Sequence, residues 1–147
     1  MSVVGEVFSA INAAITVGKI VAEAFAFRSE CQNLAARCKV VQTILETHQF
    51  SADDVAGLTD LSARLTKVEL YLSSCRERRL MRNPLFEVTF HRRIGKHISR
   101  LDGWILLTTL SLVVFSQIQK SSYVTRGVFL NMSAREMLCP LLHMCKN

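Results

Sequence analysis

Several side chains in this 147-residue sequence are of the types that carry chemistry. Cys31 and Cys38 stand seven apart, on one helix face, which is the arrangement of a redox pair or of two small core residues. The apolar neighbours on that face favour the core reading. Cys139, His143 and Cys145 spell C-x3-H-x-C, a spacing foreign to standard zinc sites, with Pro140 inside it. His91 and His97 flank arginines and read as members of a basic face rather than as a general base, and His48 closes an apolar seam. A Gly-rich phosphate loop, an HExxH and a G-x-S-x-G are all absent. The expectation is a protein that is not an enzyme, with no cofactor and no metal.

Charge supplies the stronger signal. The chain carries a net +6, and residues 76–100 account for all of it. That stretch holds eight cations, Arg76, Arg78, Arg79, Arg82, Arg92, Arg93, Lys96 and Arg100, against Glu77 and Glu87. The rest of the chain is neutral, so the basic character is a local patch. It calls for an anionic partner, and anionic phospholipid headgroups fit best. Nucleic acid is not expected, because only Phe86 and Phe90 add aromatic rings to the patch and no nucleic-acid motif accompanies it. The alternatives are a solvated face with nothing bound and a docking surface for an acidic protein. Five cysteines without a CxxC pair argue for reduced thiols in an intracellular setting. The N-terminus lacks the basic start of a signal peptide.

Four helical seams must position these residues. Half of the residues are hydrophobic, with two prolines and six glycines, a composition suited to long helices around a sizeable core. The first helix is expected over 3–27, with Val4, Phe8, Ile11, Ile15, Gly18, Ala22 and Phe25 as its seam. As a bundle element it would bury Phe8, Ile11, Ile15 and Phe25 against the fourth helix. As a membrane element it would move the same four into lipid. Ser29 is placed as the cap of a second helix ending near 48, with Leu34, Cys38, Val41, Leu45 and His48 inward. Ser51 and Asp54 give the start signal of a third helix running to about 79, with Leu58, Leu61, Leu65, Val68, Leu72 and Cys75 inward.

Asn83-Pro84 breaks the pattern before a fourth helix over 85–120, although residues 85–90 also suit a strand. Its seam is Ile94, Ile98, Leu101, Ile105, Thr108, Leu112 and Phe115. Gly95 and Gly103 are candidate points of close helix approach. The uncharged run Gly103–Gln119 is read as buried core rather than as a transmembrane segment, being at the short end for one. Beyond residue 120 the heptad spacing is lost, with only a short helix expected near 133–139. The architecture is therefore an all-α antiparallel four-helix bundle over 1–120, followed by a poorly organised C-terminal tail over 121–147, or the start of a linker or brace.

Four segments carry a resemblance: VVGEVFSAINAAITVGKIVAEAF, RSECQNLAARCKVVQTILE, LSARLTKVELYLSSC and FHRRIGKHISRLDGWILLTTLSLV. Over residues 3–119 the pattern is similar to the N-terminal four-helix domain of mixed lineage kinase domain-like protein. It also resembles the fungal HeLo-like and plant powdery-mildew-resistance-type domains. The resemblance implies a cell-death or immune effector, cytoplasmic at rest and moving to the plasma membrane on activation. It implies binding to anionic phospholipids, homo-oligomerisation and permeabilisation, under the control of a regulatory partner. The alternative is a soluble helical interaction module. In the relatives the partner segment is kinase-like, nucleotide-binding or amyloid-forming, and residues 121–147 do not resemble the brace.

Overall fold

A computed structural model describes the backbone of residues 2–77 and 84–143, and the side chains of residues 2–77 and 84–124. Four α-helices make up most of it: α1 (Val3–Ala24), α2 (Ser29–Thr47), α3 (Val55–Glu77) and α4 (Pro84–His143). A single 3-10 turn, Ala52–Asp54, leads into α3. There is no strand among the described residues, and 85–90 is helical. Pro84 takes the first helical position of α4, where a missing N–H breaks no ladder bond.

Local chemistry explains the helix ends. The Ser2 hydroxyl accepts from the Gly5 amide at 3.1 Å and caps α1. Ser51 and Asp54 form the expected capping box, with the Ser51 amide donating to Asp54 Oδ2 at 2.7 Å. Ser29 is not the cap assigned to it: it is the first residue of α2, and Arg28 holds the cap position without a side-chain cap bond. α1 stops at Ala24 rather than 27, and α4 continues to His143 rather than ending at 120.

The chain divides into two compact units, residues 1–106 and 107–147. The first contains the core. In α3 all six expected seam residues are buried, and in α2 Leu34, Cys38, Val41 and Leu45 are buried beside Cys31, with His48 half-buried. From α4 come Phe90, Ile94 and Leu101, with Ile98, Trp104 and Ile105 packed at the margin. Phe90 stacks on Phe25 at a centroid distance of 5.7 Å and on Tyr71 at 5.9 Å.

The seam of α1 needs correction. Its buried stripe is Ala10, Ala13, Ala14, Val17, Ile20 and Val21, and it packs on α2 and α3. Val4 and Phe8 are 78 % and 65 % exposed, and Ile11 and Ile15 are only partly buried. Phe25 alone of the expected four is fully buried, against Phe90 of α4. The reason is that apolar residues cover most of the circumference of this helix, leaving Ser9, Asn12, Thr16, Lys19 and Glu23 a narrow polar arc, so hydrophobicity leaves the inward face ambiguous. The face that wins carries Ala10, Ala13 and Ala14, whose small side chains allow neighbouring helices to approach. Gly95 and Gly103 mark no close approach, since a Cβ at either would meet no atom within 4 Å.

In the second unit, α4 residues 107–124 are mostly exposed, Leu107 by 68 % and Phe115 by 61 %. The core reading of 103–119 therefore fails beyond Ile105. Most of the apolar side chains that follow are exposed, with Leu112 half-buried.

Candidate functional site

The basic face rests on the N-terminal part of α4. At 3.6 residues per turn, Arg92, Arg93, Lys96 and Arg100 fall within about 100° of the helix circumference. Phe90, Ile94 and Leu101 lie on the opposite side and are buried. Core packing thus sets the rotation of the helix, and the rotation turns all four cations to solvent. Arg92, Lys96 and Arg100 engage no carboxylate among the described residues. The Arg93 guanidinium lies over the Tyr71 ring at 5.3 Å. Arg76, on α3, is exposed and pairs with Glu23 of α1 at 3.3 Å, an exposed contact worth ~0–1 kcal/mol. Arg78, Arg79 and Arg82 lie outside the described residues.

A charged cluster that the sequence reading missed fixes this face in place. Arg28 donates to Glu87 of α4 at 2.6 Å and to Glu30 at 3.4 Å. Its guanidinium also sits 4.9 Å from the centre of the Phe90 ring, and the side chain is only 10 % exposed. Burial would lower the Arg28 pKa, but the hydrogen bonds and charges of Glu87 and Glu30 outweigh it and raise it above its usual value. Further along, Arg37 of α2 donates to Asp102 of α4 at 3.1 Å. Glu87 and Asp102 of α4 are thus paired with Arg28 and Arg37, away from the arc of Arg92, Lys96 and Arg100. Spacing along the chain carries no trace of a pair 59 residues apart.

His97 stands at the edge of the basic arc, half-buried and tilted against Tyr71 at 6.3 Å. Burial, then the charges of Arg100 and Arg93, lower its pKa below the ordinary value of about 6.5. The unfolded chain therefore binds the His97 proton more readily than the folded one, and stability falls as pH drops through about 6.5. Between neutral and mildly acidic pH the denaturant midpoint should fall, and His97→Gln should reduce that fall. An identical pH dependence in the variant would remove His97 from the account.

Cys31 and Cys38 are buried free thiols, each pushed up to about 12 mainly by desolvation, so neither offers a thiolate at neutral pH. The side chains of Cys139, His143 and Cys145 lie outside the described residues. His91 is exposed, 3.9 Å from Glu30.

Two apolar surfaces are also open. One lies at the start of α1, where Val3, Val4, Val7, Phe8 and Ile11 face His48 and Phe50 across a groove. The other is the exposed run of α4 that includes Leu107, Leu110, Val113, Val114, Phe115 and Ile118. The all-round apolar composition of that run was its available signal. Both α1 and Pro84–Val124 are long and apolar enough to cross a membrane, by length and composition. No protein-family model, curated protein or solved structure matches this chain.

Proposed function

We propose that this chain is a membrane-targeting cell-death or immune effector domain that docks on anionic phospholipid, oligomerises there and permeabilises the bilayer. The observation that carries the proposal is the arc of Arg92, Arg93, Lys96 and Arg100, turned away from the core and free of carboxylate partners among the described residues. Each such cation is worth on the order of 1 kcal/mol at an anionic surface. Four acting together favour that surface by roughly a thousandfold. The resemblance to the HeLo-like domains adds the cell-death role, the move from cytoplasm to plasma membrane and control by a partner protein.

We read the four helices as an antiparallel bundle. Ser9 meets Ser62 at 2.8 Å and Glu23 meets Arg76 at 3.3 Å, contacts that support α1 and α3 running the same way. The pairs Arg28–Glu87 and Arg37–Asp102 support the same for α2 and α4. The short α1–α2 connection supports opposite directions for those two.

The test is co-sedimentation and dye release with vesicles of phosphatidylcholine, with and without phosphatidylserine. The purified chain should bind and empty the anionic vesicles and leave the neutral ones sealed at low salt. Equal behaviour toward both would refute charge-guided docking, and binding without leakage would favour an interaction module.

A further inference from the structure

We infer that α4 itself enters the bilayer, with the segment from Trp104 to Tyr123 as the membrane-embedded element. The inference rests on the membrane reading above and names the part that inserts. Nineteen residue steps separate Trp104 from Tyr123, and a helix of that length rises ~28 Å. The hydrocarbon core of a bilayer is about 30 Å thick, and Trp and Tyr favour its two interfaces. These are the sole tryptophan of the chain and one of its two tyrosines. Between them no charge occurs until Lys120, within one turn of Tyr123, from where its ammonium can reach the headgroups. Gln117 and Gln119 gather at that same end.

The environment of the segment points the same way. Leu106, Leu107, Leu110, Val114 and Ile118 are each more than half exposed. A helix that is apolar on every side demands either protein or lipid around it. The Ser111 hydroxyl donates to the Leu107 carbonyl at 2.9 Å, so this polar group is satisfied by its own helix, as lipid requires. The cations that precede the segment, Arg92, Arg93, Lys96 and Arg100, complement anionic headgroups at the end where Trp104 would sit. That charge selects lipid over a second copy of the chain, whose own arc would be equally positive. α1 is the weaker candidate: it carries Glu6, Lys19 and Glu23, and its Ala10–Val21 face belongs to the core. Six residues of α1 are buried, whereas none is among the described residues 103–124.

The full chain, reconstituted by detergent removal into vesicles of phosphatidylcholine alone, should resist extraction by alkaline carbonate. Trp104 fluorescence should be quenched by lipids brominated near the headgroup. In a Trp104→Phe, Val114→Trp variant, quenching should shift to lipids brominated at the chain centre. Val114→Arg, at an exposed position outside the core, should stay helical by circular dichroism yet lose roughly tenfold or more of its retained fraction. Release of the unmodified chain by carbonate would overturn the inference, as would shallow quenching from position 114 or unchanged retention of Val114→Arg. So would a lipid-free dimer dissolved by Val114→Arg. Neutral vesicles give the basic arc no anionic partner, so retention there tests the embedded segment alone. Phosphatidylserine selectivity of chain added from solution tests docking alone.

Discussion

A Leu65→Ala variant loses about 2–5 kcal/mol of folding stability, while Leu112→Ala stays within about 1 kcal/mol of the parent. Both leucines occupy equivalent places in their seams. Leu65 is fully buried at the middle of α3, between Leu61 and Val68, and its truncation leaves a cavity that close-packed neighbours cannot fill. Leu112 is only half-buried and lies in a stretch where most side chains are exposed. Against a typical total of ~5–15 kcal/mol, the first loss removes a large share of the stability. Urea midpoints measured for both variants in lipid-free buffer check this. Equal midpoints for the two would mean that residues 107–124 carry core packing after all.

Reversing two charges on the arc gives the second large effect. Arg92→Glu with Lys96→Glu removes two cations worth about 2 kcal/mol together, so affinity for anionic vesicles falls by roughly 30-fold, and further once repulsion is counted. Both side chains are exposed and neither contacts the core, so the denaturant midpoint stays where it was. Arg93 is left in place because it lies over Tyr71, and changing it would mix packing with charge. Salt should erase the difference between variant and parent, since the Debye length is only ~8 Å at physiological ionic strength. Binding that is unchanged at low salt would assign the docking surface elsewhere.

The seams of α2 and α3 were legible because leucines at three-four spacing leave only one inward face. Ser51 and Asp54 were legible as a start signal because a capping box is local chemistry. The face of α1 was not, because half of its inward residues are alanines, which hydrophobic periodicity weighs lightly beside Phe8 and Ile15. The end of the core in α4 was not legible either. Up to Leu101 the helix alternates charge with apolar residues, and its inward face is plain. From Trp104 on it is apolar all round, and such a run reads alike whether protein or lipid surrounds it. In the basic patch, the sequence supplied the cations but not their rotation about α4, which Phe90 and Ile94 impose. The cluster of Arg28, Glu30 and Glu87 depends on tertiary contact alone.

The alanine stripe of α1 reverses the usual order of mutational tolerance. In most helices of a core the largest apolar residues are the least replaceable. Here Val4 and Phe8 are largely exposed and tolerate a change of size as far as folding is concerned, whereas Ala10, at 0 % exposure, is enclosed by the core. Each methyl group added to Ala10 must push its neighbours aside, and overpacking of this kind typically costs ~1–3 kcal/mol. Sequences sharing this fold would therefore vary in the conspicuous residues of their first helix and hold constant its least conspicuous ones.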